Sequence, residues 1–424
     1  MQTRTLLVPL EWPDVWQDAR LSRLLEGMPW NCILLPGSAS PELEAALRQR
    51  FPVLRQPRWQ RLGEIDWRSP GERILIGDAV WPGVGGAAGD ATEAGPTGLP
   101  WLDANGWRIR LARDLAPQAE VWIRSDPPEE AGRADLGLLL LTQSEAWAHG
   151  ARRPLWLPAE VAAGIARDNE AALQWWRRLS RDAAWWAGRA DQTVWRTAAR
   201  LLVISRFAGP DAEAAAELLN LAARRNLPWR ASLPETAAGA LDGMAAAVYV
   251  DQELPGEALL ERFRQFVSNG GLLLCLPEAA SAWRGLADAG QPHPRFDVRM
   301  LGRGRVALSR SGWDDPYLLA QDAHLLMSRR NDVVRLFNPG SILAWPAASP
   351  DRRELLVHLI NYSRRGVAHR VVVQVWRPVQ AAWIESPERP RQAAAVRREA
   401  GGWEIPLEPF EHYCAVMLEG KWDD

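Results

Sequence analysis

Leu201-Leu-Val-Ile-Ser205, Ala247-Val-Tyr-Val-Asp251 and Leu272-Leu-Leu-Cys-Leu276 are three short apolar runs, separated by helical stretches over 211–225 and 255–268. Continuous apolar runs of this length, alternating with helices, are what a parallel sheet buried on both faces requires. Pro255 suits the first turn of the second helix, and Asn269-Gly270-Gly271 supplies residues that accept positive φ at its end. The stretch therefore reads as a flavodoxin-like, doubly wound layer. A hairpin turning at Gly302-Arg303-Gly304 is expected over 299–309, and a last helix over 314–329.

Toward the N-terminus the same alternation continues. Short strands are expected at Leu6-Leu-Val-Pro9, Cys32-Ile-Leu-Leu-Pro36, Arg73-Ile-Leu-Ile-Gly-Asp78, Glu120-Val-Trp-Ile-Arg124, Gly137-Leu-Leu-Leu-Leu141 and Pro154-Leu-Trp-Leu-Pro158. Five or six such units fall short of the eight in a full barrel, so a reduced (β/α) barrel and an open parallel sheet both satisfy the pattern. The Gly-, Ala- and Thr-rich stretch 82–100 reads as a loop. One long helix is expected from Pro158, with Val161, Ile165, Leu173, Trp176, Leu179, Ala183 and Trp186 on its buried face. Toward the C-terminus, after Phe337, the period changes to two: Leu355, Val357 and Leu359 alternate with Leu356, His358 and Ile360, and short strands follow. Close spacing with turn signals implies a small antiparallel β-sandwich. The expected division is a multidomain α/β chain with parts at 1–198, 199–335 and 336–424.

Composition narrows the function classes. The 424 residues carry a formal net charge of −2, without the basic excess that nucleic-acid binding draws on. No apolar run approaches the ~20 residues of a membrane span, and the start lacks a signal-peptide core, so no membrane partner and a cytoplasmic location are expected. Cys32, Cys275 and Cys414 form neither a disulfide framework nor a metal knuckle. Lys421 is the one lysine among 50 basic residues, which leaves none for a phosphate-binding P-loop or a pyridoxal Schiff base. No cofactor is expected. The six histidines show no ligand spacing, so no metal is expected either. Tryptophan is abundant, 24 residues, and burying one is worth roughly 4 to 6 kcal/mol, so most are expected in the core.

Four phrases carry a resemblance: Phe266-Val-Ser-Asn-Gly-Gly-Leu-Leu-Leu274, Leu301-Gly-Arg-Gly-Arg-Val306, Val357-His-Leu-Ile-Asn-Tyr362 and Ile405-Pro-Leu-Glu-Pro-Phe-Glu411. Together with the order of parts, 200–419 resembles the rear half of bacterial β-galactosidases that join a (β/α)8 barrel, a glutamine-amidotransferase-like trimerisation domain and a C-terminal β-sandwich. The resemblance implies a glycoside-hydrolase-like protein and a homo-oligomer, with the middle part serving assembly. The amidotransferase relatives carry a cysteine at a glycine-flanked strand-to-helix elbow. Cys275, between Leu274 and Leu276 and followed by Pro277, lacks that elbow and reads as an inert buried thiol.

Candidate site residues cluster in the N-terminal part. Asp103-Ala-Asn105-Gly-Trp107-Arg108 combines a carboxylate, an amide, an indole and a guanidinium, the groups that bind sugars; Asp103 or Asn105 capping the helix that follows explains the same pattern. Asp126 and Glu145 each follow an expected strand, where parallel α/β enzymes hold their chemistry, and a glycosidase needs one protonated and one ionised carboxyl. Asp126 before two prolines also suits a turn, and Glu145 a solvated helix. Asp103, Asp126 and Glu145 are the expected catalytic residues, converging on one hollow; Asn105, Trp107 and Arg108 are the expected substrate contacts. Gly83-Val-Gly85-Gly imitates a dinucleotide fingerprint but has Gly95, Pro96, Gly98 and Pro100 where its helix should begin. Trp313-Asp314-Asp315-Pro316-Tyr317, with Asp322, His324, Arg329 and Arg330, is a further cluster suited to a cleft, although Asp314 as a helix cap accounts for its start. Three functions remain open: a carbohydrate-active glycoside hydrolase with a saccharide partner, a non-catalytic saccharide-binding or oligomerising scaffold, and, against the missing elbow, a small-molecule amidase using Cys275.

Overall fold

The computed structural model describes residues 6–84, 101–127, 135–313, 315–363, 370–399 and 401–422. Three strands, β1 (Pro9–Glu11), β2 (Cys32–Leu35) and β3 (Val53–Arg55), pair in parallel in that order. The helix α1 (Pro41–Arg48) crosses over between the last two, capped by Ser40, whose hydroxyl accepts the Leu43 N–H. Beyond β3, Gln60 pairs with β4 (Arg73–Ile76). After α2 (Gly106–Leu115), β5 (Glu120–Ile123) lies parallel to β4. Trp122 of β5 then bridges Arg152, and Leu155 bridges Leu10 of β1. These isolated bridges link the β4–β5 pair to the segment after β3 on one side and, through 152–155, to β1 on the other, while β1–β3 and β4–β5 remain separate sheets.

Strict alternation runs through these apolar strands. Cys32, Leu34 and Trp122 form a small cluster, with Leu7, Leu54, Trp59 and Leu75 packed against it. Their neighbours Ile33, Leu35, Ile74, Ile76, Val121 and Ile123 join the two large clusters on the other side, under the helices.

The expected strand at 137–141 is instead the first part of a helix, α3 (Leu136–His149). Leucine is a strong helix former and lacks the β-branching that favours strands. Asp135 caps the start by accepting the Leu138 N–H at 2.7 Å, and Gly150, at φ 87°, ends it. Nearly all of α3 is buried, so no polar face betrays the helical period. The single helix expected from Pro158 is two, α4 (Ala159–Ala166) and α5 (Glu170–Ala187), because Asp168 adopts φ 57° and Asn169 starts a new helix. Trp176 and Trp186 are buried on one side of α5 as expected, while Trp175 and Trp185 sit half-buried beside them.

The middle part is built around one sheet. It runs β7 (Trp229–Ser232), β6 (Leu201–Ile204), β8 (Ala246–Tyr249), β9 (Leu272–Cys275), β11 (Gly304–Ser309) and β10 (Phe296–Leu301), with a two-residue edge strand at Ala287–Asp288. The first five are parallel and β10 is antiparallel. Helices α6 (Ala212–Arg224) and α7 (Glu257–Ser268) occupy their expected positions. The strand β7, in which the buried Trp229 and Ala231 alternate with Arg230 and Ser232, is a structural addition to the sequence reading. The hairpin turn at Gly302 and Gly304 presses on the end of α7: a Cβ on Gly304 would lie 2.1 Å from the Val267 carbonyl oxygen. The last helix here, α8 (Pro316–Met327), is capped by Asp315, whose carboxylate accepts the Tyr317 and Leu318 N–H groups; Asp314 lies outside the described residues.

Two antiparallel sheets close the chain. One orders β12 (Arg335–Phe337), β15 (Val371–Val375), β19 (Gly402–Leu407) and β18 (Arg397–Glu399); the other orders β17 (Arg389–Ala393), β16 (Val379–Ser386), β20 (Tyr413–Gly420), β14 (Glu354–Asn361) and β13 (Ile342–Ala348), with Arg196–Thr197 at its edge. Leu355, Val357 and Leu359 face the first sheet, whereas Leu356 and Ile360 join Trp147 and Trp186 of the N-terminal helices. The β14 strand is therefore buried on both faces.

Candidate functional site

Glu145 and Asn105 are brought together, in the core. The Glu145 carboxylate accepts the Asn105 backbone N–H at 2.6 Å, the Asn105 side-chain amide at 2.8 Å and the Tyr362 hydroxyl at 2.8 Å. Burial raises its pKa, opposed by these hydrogen bonds and by the charge of Arg153. Asn105 stands at the N-cap position of α2 without capping it; its side chain instead binds the Val80 N–H and carbonyl, at 2.9 and 2.8 Å. One buried carboxylate thus ties together the loop after β4, the start of α2, α3 and the end of β14.

The other expected site residues lie in different settings. Asp103 is half-buried and accepts the Trp101 indole N–H at 3.1 Å. Trp107 is 7% exposed and packs in the core, with the Arg108 guanidinium 4.4 Å from its ring. Burial lowers the Arg108 pKa, against the charges of Asp78, Glu145, Glu217 and Asp103. Asp126 is exposed, directly after β5, and its backbone carbonyl accepts the Trp81 indole N–H at 2.7 Å. The three carboxylates expected to share a hollow therefore occupy three surroundings.

A cleft of about 490 Å³ opens at the carboxyl ends of the parallel strands, lined among others by Glu11, Trp12, Asp14, Gln56, Trp59, Arg124 and Trp156. Glu11 ends β1 and grips the Arg124 guanidinium, with oxygens 2.7 and 3.3 Å from Nε and Nη2. Burial alone would lower the Arg124 pKa, but Glu11, with Asp126 behind it, lifts it above its ordinary value. Asp14 is exposed and accepts the Ser38 hydroxyl at 2.6 Å. Trp156 meets Trp81 edge-on, with ring centroids 5.9 Å apart. Asp126 stands between Arg124 and Pro127, both of which line this cleft.

Indole faces, an amide and carboxylates in one open cleft match the apolar and hydroxyl faces of a sugar ring. The sequence signal was present: Glu11-Trp12-Pro13-Asp14 follows the first strand directly, and Gln56-Pro57 with Trp59 follows the third. The expected strand Leu6–Pro9 stops two residues short of Glu11, where β1 ends, and so leaves this signal outside it.

Cys275 is buried, and burial pushes its thiol up to about 12, far from a nucleophile's range. Among the described residues no three His, Cys, Asp or Glu side chains converge to hold a metal ion, and no helix is long and apolar enough to cross a membrane.

No protein-family model matches the sequence, and no curated protein does. Solved structures do match in fold. An α-L-fucosidase isoenzyme 2 from Paenibacillus thiaminolyticus aligns with a TM-score of 0.55 at 11% identity, over 95% of this chain and 79% of that one. A β-galactosidase from Bacillus circulans sp. alkalophilus gives 0.56 at 11%, over 89% and 65%. Gan42B, a GH42 β-galactosidase from G. stearothermophilus, gives 0.51 at 11%, over 90% and 66%. The fold is glycoside-hydrolase-like. The chain spans just under two thirds of each of these two β-galactosidases.

Proposed function

We propose that the chain is a glycoside-hydrolase-like carbohydrate-active protein, with a saccharide seated in the strand-end cleft. In this reading the N-terminal parallel strands form a reduced barrel, the middle sheet is the flavodoxin-like layer that serves homo-oligomeric assembly, and the two C-terminal sheets form the sandwich. The observation that carries it is the cleft itself: Trp59 and Trp156 supply surfaces for a sugar ring at the position where parallel α/β proteins bind their ligands.

Hydrolysis needs one carboxyl to protonate the leaving oxygen and another to act ionised. Asp14, an exposed residue of the cleft lining, and Asp126, exposed and next in the chain to the lining residue Pro127, take these roles. Glu11, paired with Arg124, orients the guanidinium. Glu145, with Asn105, acts at a distance by holding the segment that carries Asp103 and Arg108. A specific observation favours a second reading, saccharide binding without hydrolysis: Glu11 is committed to Arg124 and Glu145 to three donors, so two of the carboxylates are spoken for.

Incubation with a panel of aryl glycosides separates the two. Turnover that falls at least 100-fold in Asp126→Asn or Asp14→Asn, with binding retained, supports the enzyme. No turnover, with oligosaccharide binding that Trp59→Ala weakens about tenfold, supports the binding protein. Neither turnover nor binding overturns the proposal. Light scattering tests assembly, and a monomer across concentrations refutes that part.

A further inference from the structure

A second groove shares no lining residue with the cleft, and its chemistry is different. It measures about 350 Å³ and runs between the end of α6 and the strands β12 and β13. Arg224, Arg225, Arg329, Arg335 and His324 line it, and Asp332 is the one acidic residue that does. That carboxylate is already engaged, 2.6 Å from His324 Nε2 and 3.6 Å from Arg335. Glu217 and Asp103 act on Arg224. Among the described residues Arg225 and Arg329 meet no carboxylate. Arg225 lies 5.6 Å over the Tyr317 ring and donates to the Tyr317 hydroxyl at 3.3 Å, and its buried Nε has no hydrogen-bond partner. Arg329 is exposed. At the end of α6 the Leu221, Ala222 and Ala223 carbonyls, whose partial negative charge would repel an anion, accept the N–H groups of Arg225, Asn226 and Leu227.

Beside these cations the groove has an apolar face. Phe337 on its wall is 39% exposed, and Trp101, next to the lining residue Leu102, is 49% exposed with the Arg224 guanidinium 4.0 Å from its ring. Guanidiniums with unspent donors recognise planar and tetrahedral oxyanions, and flat aromatic faces pack on sugar rings. We infer that this groove binds an acidic saccharide, one bearing a carboxylate or a sulfate, through Arg225 and Arg329. The inference rests on the saccharide reading above for the sugar, and on the groove alone for the charge. It also gives a use to His324 and Arg329, which no cleft residue required. Asp322 from the same cluster points elsewhere, held by Arg295 and near His293.

Calorimetric titration of the full chain tests it, with a uronic-acid trisaccharide, its carboxyl-reduced neutral counterpart, a sulfated trisaccharide and inorganic sulfate. A charged trisaccharide should bind at least about tenfold tighter than the neutral one, more weakly as salt rises. The Arg225→Gln/Arg329→Gln variant, its fold checked by circular dichroism, should lose that advantage, and Trp59→Ala should keep it. Which trisaccharide gains identifies the oxyanion. Equal affinity of the charged sugar for wild type and the arginine variant overturns the inference, as does inorganic sulfate binding as tightly as the charged trisaccharides. Neutral-sugar binding lost only in Trp59→Ala belongs to the cleft, so a failure there and a failure here are told apart.

Discussion

Glu145 shows how a residue expected to do chemistry carries structure. Its carboxylate takes three donors from two other segments, two of them belonging to Asn105 and one to Tyr362, which lies 217 positions away. Glu145→Ala strands all three in the core, and each buried unpaired donor costs about 1–3 kcal/mol, so a loss of at least about 3 kcal/mol in urea unfolding is expected. Tyr362→Phe should cost less, about 1.5–3 kcal/mol, because it takes one donor from the carboxylate while the Asn105 N–H still satisfies the same oxygen. Asp114 gives a pH signature. It accepts the Ala231 N–H at 2.8 Å, and burial raises its pKa to about 6 from an ordinary 3.8. Below pH 4 both folded and unfolded chains hold this proton; between 4 and 6 the unfolded chain releases it first. Stability therefore falls as pH rises through that window, by at most about 3 kcal/mol from this group. Asp114→Asn should remove that share of the slope in unfolding measured from pH 4 to 7, and an unchanged slope refutes the assignment.

Elements were legible where their ends and faces were both written locally. The helices α6 and α7, with a polar face and clear turn residues, sit where their sequences put them. The α3 segment was misread because its core position erases the polar face, leaving only Asp135 and Gly150 as signals. The break between α4 and α5 was hidden for another reason: Val161 to Trp186 keeps an apolar rhythm across it, while the left-handed Asp168 ends one helix and Asn169 caps the next by accepting the Ala172 N–H at 3.2 Å. Asp168→Gly should relieve that conformation and raise stability by a few tenths up to about 1 kcal/mol in thermal unfolding. The start of α2 is tighter. A Cβ on Gly106 would lie 2.3 Å from His149 Nε2, so Gly106→Ala should cost about 1–3 kcal/mol.

At the scale of the molecule, the cores run across the expected boundaries near 198 and 335. One cluster joins Trp107 and Ile109 of α2 to Leu218 of α6 and Trp345 of β13; another joins Trp147 of α3 to Leu356 and Tyr413 of the C-terminal sheets. Arg189 and Arg178 of the α5 region add ion pairs to Glu385 and Glu388. Shared burial couples the parts, so calorimetry should show one cooperative unfolding transition; well-separated transitions would contradict this.

Order of elements, the change of period after Phe337, the buried tryptophans and the poverty of lysine are properties of neighbouring residues, and the linear chain declares them. The bridge between Leu10 and Leu155, the meeting of Glu11 with Arg124 and of Glu145 with Tyr362, and the arginine-lined groove at Arg225 and Arg329 join residues separated by up to 217 positions. Period and capping act over one turn or one strand, whereas a site is made by which strand ends come together, and only packing in three dimensions chooses that.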